Sequence, residues 1–145
     1  MPLNISIKKL DKRAVIPEYS REGDAALDLK SISSYEIKPG ERNLVSIGIA
    51  IAIPDGYCGL VLPRSGNAIK HGITLPNAPG LIDSNYRGEI KVPLINHDKE
   101  ESFEINEGDR IAQLLIIECP KISFSEVSNL DDTNRGTSGF GSSGY

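Results

Sequence analysis

Between Val45 and Ile53 every odd-numbered residue is β-branched: Val45, Ile47, Ile49, Ile51 and Ile53. The residues between them, Ser46, Gly48, Ala50 and Ala52, are all small. A period of two puts the large side chains on one face of a strand and lets something pack closely on the other. Pro54-Asp55-Gly56 then supplies a turn, and Tyr57 to Leu62 reads as the returning strand. Ile90, Val92 and Leu94 alternate with Glu89, Lys91 and Pro93, and the proline predicts an edge strand or a bulge. The apolar run from Ile111 to Ile117, interrupted by Gln113, predicts a strand buried on both faces. Pro39-Gly40, the stretch from Asn96 to Glu101 and Asn106-Glu107-Gly108 read as turns, and only Gly66 to His71 suits a short helix. Many short strands joined by regular turns predict an all-β sandwich or barrel.

The chain has 145 residues, the length of one domain that can bury a core. A formal charge of −4 argues against a nucleic-acid polymer as partner, because such proteins present a basic surface. It leaves open a single nucleotide, which a few arginines and backbone amides can hold. Cys58 and Cys119 have neither zinc-like nor redox spacing and read as two reduced core thiols of a cytosolic protein. The start, MPLNISIKKL, lacks an apolar targeting core, and no run approaches membrane-spanning length, so a soluble cytoplasmic protein without membrane contact is expected. After about Asn129 the composition shifts to Asp, Thr, Ser and Gly, ending RGTSGFGSSGY. Composition alone makes this a linker or disordered end. Arg135 and Phe140 count against that, because a passive linker needs neither a cation nor an aromatic ring. The expected division is a β-domain over 1–128 and a tail over 129–145.

Four segments carry possible chemistry. In Pro63-Arg64-Ser65-Gly66 a strand end meets a short helix, which is either a phosphate site of free N–H groups beside an arginine or an ordinary helix cap. No Gly-Lys-Ser/Thr ending is present, so it is not a Walker A loop. In the stretch from Asn77 to Gly88, Asp83 follows two apolar residues and precedes a polar turn. It is either a turn former or a base placed near a hairpin rim. Asp28 is flanked by apolar residues and needs a partner, either a structural hydrogen bond or a bound cation. Gln113, inside the last apolar run, also needs one. His71 and His97 stand far from any second ligand, and no zinc motif exists, so an all-protein metal cage is not expected.

Taken together and in order, these segments resemble the five motifs of the trimeric dUTPase family, the deoxyuridine triphosphate nucleotidohydrolases. They are Ala25-Ala26-Leu27-Asp28-Leu29, Pro63-Arg64-Ser65-Gly66, the stretch from Gly80 to Gly88, Arg110-Ile111-Ala112-Gln113, and the stretch from Arg135 to Gly144. The third and fifth are the most specific. One departure is visible: Ala26 stands where the family's first motif usually has glycine, which puts the local backbone in doubt.

The resemblance implies a jelly-roll-like β-barrel of the dUTPase-like β-clip type, a flexible glycine-rich C-terminal tail, and a homotrimer with shared active sites. It implies hydrolysis of dUTP to dUMP and pyrophosphate, which keeps uracil out of DNA and supplies dUMP for dTMP synthesis. Asp83 would be the base that activates water, Ser65 would donate to the oxygen bridging the α- and β-phosphates, and Gln113 would bind the α-phosphate or orient the water. Arg64 and Gly66 would hold the phosphates. Asn77 and the backbone around Gly80 and Ile82 would pair the uracil edge, while Tyr86 would pack under the deoxyribose. Arg135 would clamp the γ-phosphate, Phe140 would stack on the uracil, and the backbone at Gly141 and Ser142 would wrap the phosphates. Mg²⁺ is the implied cofactor, met by Asp28 through water. The competing expectations are a dCTP deaminase-type or bifunctional member of the same superfamily, and a catalytically silent regulator that binds nucleotide.

Overall fold

The computed structural model describes residues 2–144. Met1 and Tyr145, the outer ends of the two segments divided above, lie outside the described residues. The elements run β1 (Ser6–Lys9), β2 (Leu27–Lys30), β3 (Tyr35–Ile37), β4 (Arg42–Ser46), β5 (Ile49–Ala52), β6 (Tyr57–Leu62), α1 (Ser65–His71), β7 (Ile73–Thr74), β8 (Gly80–Ile82), β9 (Lys91–Asn96), β10 (Phe103–Ile105) and β11 (Arg110–Glu118). The strands form open sheets in the orders β2-β11-β6-β8, β4-β9-β7, β1-β5 and β10-β3. The chain is therefore all-β with one short helix at the predicted place. Among the described residues no helix is long and apolar enough to cross a membrane.

All five β-branched residues of the alternating run are buried, but the run is two strands rather than one. β4 pairs with β9, whereas β5 pairs with β1. The crossover falls at Gly48, whose φ is +75°, in the left-handed region that favours glycine. A Cβ there would also lie 3.1 Å from both Ala14 Cβ and Ile32 Cγ2. The period survives the break because both sheets line the same core, which includes Leu29, Ile37, Ile73, Leu94 and Ile105. Burying each such side chain contributes about 1.5–3 kcal/mol.

Pro93 sits in the middle strand of its sheet, opposite Leu44 of β4. On the other side β7 covers only Ile95 and Asn96, so Pro93 lies past the end of that short strand and interrupts no ladder there. Asn96 is fully buried and its side chain is satisfied at both ends. Its Nδ2 donates to the carbonyls of Ile37 and Glu101, both at 2.9 Å, and its Oδ1 accepts from Asp98 N–H at 2.8 Å.

β11 departs from its expectation. It is hydrogen-bonded on both edges, to β2 and β6, but only one of its faces is covered. Ala112 and Leu114 are buried, whereas Gln113 and Leu115 are half-buried and Ile117 is exposed. Within this chain that outer face is only partly covered. Regular structure ends at Glu118, and from Pro120 to Gly144 every residue is exposed except the half-buried Gly139.

Candidate functional site

The sheet β2-β11-β6-β8 organises the predicted site residues because its two faces carry different sets. Asp28 pairs with Gln113, and Gln113 pairs with Leu62, so these three side chains share the outer face. Val61 pairs with Gly80 and faces the other way. Leu62 and Val61 line two separate cavities with no lining residue in common.

The first cavity, of 470 Å³, is lined by Asn77, Gly80, Ile82, Asp83 and Tyr86, with Val61, Leu75, Glu89 and Pro93 among its walls. β8 holds its floor by pairing with β6, Gly80 opposite Val61 and Ile82 opposite Gly59. Asp83 follows immediately, and its carbonyl accepts the Tyr86 N–H at 3.1 Å to close a tight turn. The backbone of Asp83 thus forms the turn, while its exposed carboxylate has no hydrogen-bond partner among the described residues and stands at the cavity rim. Arg87 stiffens the same turn by donating Nη1 to the carbonyls of Ser84 at 2.6 Å and Tyr86 at 3.0 Å. The Tyr86 hydroxyl donates to the Glu89 carbonyl at 2.8 Å, folding the ring over Gly88. A Cβ at Gly88 would lie 2.5 Å from that hydroxyl oxygen, so the ring's position requires glycine there.

The second cavity, of 660 Å³, is lined by Asp28, Arg64, Ser65, Gly66 and Gln113, together with Ser20, Ala26, Arg110 and Leu115. Arg64 occupies the cap position of α1, and no side chain caps the helix. The N–H groups of the first turn are left for a ligand or water. Asp28 has its partners: it accepts a hydrogen bond from the Ser20 hydroxyl and lies 3.4 Å from Arg64 Nε and 3.6 Å from Arg110 Nε. Gln113 also has its partner, donating Nε2 to the Pro63 carbonyl at 2.9 Å. Ala26 does not have a positive φ, so the departure from the family's glycine imposes no strain. Two guanidiniums around one carboxylate leave this cavity with an excess of positive charge, as an anion site needs.

Arg135 and Phe140 line neither cavity. Arg135 Nε donates to the Ser138 carbonyl at 2.9 Å within the tail's own turn. Phe140 is fully exposed and has a φ of +52°, unusual for a residue with a side chain. One chain therefore brings the predicted residues into three groups and does not join them. Sequence reasoning assigned no role to Gly88, Ser20 or Arg110. Gly88 and Arg110 lie inside quoted motifs, which was the available signal; nothing marks Ser20, which reaches Asp28 only through the fold.

Comparisons with known proteins identify the family. The family model for dUTPase matches residues 12–144. A deoxyuridine 5'-triphosphate nucleotidohydrolase of Rhodococcus erythropolis is 51% identical over 142 residues, covering 98% of this chain and 87% of the relative. A protein of the same name from Nautilia profundicola is also 51% identical over 142 residues, covering 98% and 99%. Among solved structures, a variant of the Staphylococcus bacteriophage 80alpha dUTPase with dUpNHpp superposes with a TM-score of 0.90 at 28% identity, covering 98% of this chain and 99% of that one. The five motifs, the all-β architecture and these matches together make the chain a member of the dUTPase family.

Proposed function

We propose that this protein hydrolyses dUTP to dUMP and pyrophosphate, acting in the cytoplasm as a homotrimer whose sites are shared between chains. This would keep uracil out of DNA and supply dUMP. One observation carries the reading: the Asp83 carboxylate, without a hydrogen bond among the described residues, stands at the rim of a cavity lined by Asn77, Gly80, Ile82 and Tyr86. The support for assembly is that the two cavities have no lining residue in common, together with the open apolar outer face carrying Leu81, Leu115 and Ile117. A second copy supplies both the missing cover and the missing half of a site.

In this reading the first cavity takes the nucleoside. Asn77 and the backbone at Gly80 and Ile82 pair the uracil edge, and Tyr86 packs under the deoxyribose and rejects a 2′-hydroxyl. The second cavity, contributed by another chain, takes the phosphates. Arg64 and the Gly66 N–H hold them, and Ser65 donates to the α–β bridging oxygen, where leaving-group charge develops. Asp83 removes a proton from the water that attacks the α-phosphorus in line, and pyrophosphate leaves. Gln113, anchored on Pro63, keeps its carbonyl oxygen to orient that water. The tail of a neighbour closes the site, with Arg135 on the γ-phosphate, Phe140 over the uracil, and the amides of Gly141 and Ser142 on the phosphates.

The residues fit Mg²⁺ of a particular kind. Asp28 is a single carboxylate already flanked by two guanidiniums, and no cluster of three potential ligands occurs among the described residues. That donor set suits an ion held mainly by the triphosphate and its own water, with Asp28 meeting the hydration shell. When bound, the ion supplies charge neutralisation along the phosphates.

The deciding experiment measures pyrophosphate release from each deoxynucleoside triphosphate with Mg²⁺ present. Release from dUTP in strong preference to the others is expected. Ammonia release from dCTP, or binding without turnover, would overturn the assignment.

A further inference from the structure

Ser20 belongs to none of the five motifs, yet it holds a residue of the first. Between Glu18 and Asp28 the chain turns back on itself. At the tip, the Arg21 carbonyl accepts the Asp24 N–H at 3.2 Å and the Asp24 carboxylate accepts the Arg21 N–H at 2.9 Å. At the base, the Glu18 carbonyl accepts the Asp28 N–H at 3.3 Å. A loop tied at both places sets Ser20 beside Asp28, and its hydroxyl donates to Asp28 Oδ2. Both residues line the cavity that also holds Arg64, Ser65 and Gly66.

That hydrogen bond decides where the rest of the carboxylate points. The last torsion of an aspartate is broad, so the side chain by itself does not fix which oxygen meets which partner. With Oδ2 held by Ser20 and 3.6 Å from Arg110 Nε, Oδ1 is the oxygen that faces Arg64, whose Nε stands 3.4 Å away. Arg64 is held from a second side, because its Nη1 donates to the Arg110 carbonyl at 3.3 Å. Its Nη2 makes no hydrogen bond among the described residues and is the donor left for an anion. The Asp28 side chain is 16% exposed, so solvent and salt screen these pairs less than they screen surface pairs.

We propose that Ser20 is a positioning residue for the phosphate cavity, its hydroxyl locking the Asp28 carboxylate in the orientation that aims Arg64 at the phosphates. This deepens the function proposed above and rests on it for the identity of the ligand. Ser20 touches no reacting atom; it acts through Asp28 and Arg64. Removing the hydroxyl frees the carboxylate to turn, and the guanidinium loses one of its two fixed sides. The hold on phosphate weakens in the ground state and the transition state alike, which raises KM and leaves kcat in place. The nucleoside cavity shares no lining residue with this one, so its affinity stays as it was.

The test compares full-length wild type, Ser20→Ala and Ser20→Thr with Mg²⁺ present. Each is measured by calorimetric binding of pyrophosphate and of deoxyuridine, by dUTP kinetics and by unfolding temperature. Ser20→Ala is expected to bind pyrophosphate about three- to tenfold more weakly and to raise KM for dUTP by a similar factor. Its deoxyuridine binding, kcat and unfolding temperature are expected to match the wild type. Ser20→Thr keeps the hydroxyl at an exposed position and is expected to restore pyrophosphate affinity. Undiminished pyrophosphate binding in Ser20→Ala, equal losses for pyrophosphate and deoxyuridine, or no rescue by threonine would overturn the proposal. Collapse of the fold in Ser20→Ala would overturn it too, by giving the hydroxyl a structural role. A wild type that binds pyrophosphate but does not release it from dUTP would instead sink the proposed function, and the binding ratio between wild type and Ser20→Ala would still decide the role of Ser20.

Discussion

The hairpin that carries Asp83 and the tail that carries Phe140 are built on opposite physical plans. The hairpin is fixed before any ligand arrives. β8 pairs with β6, Leu75 and Ile82 are buried, and its turn is closed by the Tyr86 and Arg87 side chains donating to the carbonyls of Glu89 and Ser84. The tail has almost nothing of the kind. Its hydrogen bonds, such as Arg135 to Ser138 and Gly136 to Thr133, run within its own short turns, and its aromatic ring packs on nothing. A base and a specificity pocket gain from preorganisation, since a displaced carboxylate loses its in-line geometry. A cover gains from weak anchoring, because it must open to release product. The ordering entropy is about 1–2 kcal/mol per backbone residue, so in the proposed function the tail would draw on substrate contacts to close.

Three substitutions and one truncation test that contrast. The largest effect is expected from Asp83→Asn, which keeps the hairpin but removes the base. Turnover should fall by about 10²–10⁴-fold while calorimetric binding of dUpNHpp survives; undiminished pyrophosphate release would refute the assignment. Truncation before Arg135 comes next. It should lower kcat/KM by about a hundredfold with the assembly and unfolding temperature unchanged, and normal turnover would show that the tail does not close the site. Third, Gly88→Ala should strike the preorganised side, because the new Cβ meets the Tyr86 hydroxyl at 2.5 Å. About 0.5–1.5 kcal/mol of stability should be lost with the Tyr86–Glu89 hydrogen bond, read as a lower unfolding temperature, together with weaker rejection of UTP. The smallest effect is expected from Phe140→Ala. Loss of base stacking should raise KM by about tenfold and leave thermal unfolding untouched; a change in unfolding temperature would mean that the tail is anchored after all.

The residues differ in how far their roles can be read from their neighbours in sequence. Alternation revealed the strands because burial of one sheet face imposes a period of two, and it located Val45 to Ile53 and β6 correctly. It could not reveal the break at Gly48, because the crossing leaves the period intact and only the pairing partners change. Local chemistry showed that Asp28 and Gln113 needed partners. It could not say that those partners would be Ser20, Arg64, Arg110 and the Pro63 carbonyl. Asp83 is instructive for a different reason. Both readings of it hold in part, since its backbone forms the turn and its carboxylate remains free.

By itself the sequence determined an all-β chain, one short helix, the five motifs and their order, and hence the dUTPase family. The strands and helix follow from periodicity and the family from the resemblance of the motifs to its own, both properties of the chain before it folds. Tertiary structure alone decided that the motifs divide between two cavities and a tail that lines neither. That division depends on which strands pair, and pairing across 50 or more residues leaves no local mark. The β11 strand shows the limit most clearly. Its composition called for burial on both faces, yet the fold of this chain leaves one of them largely open.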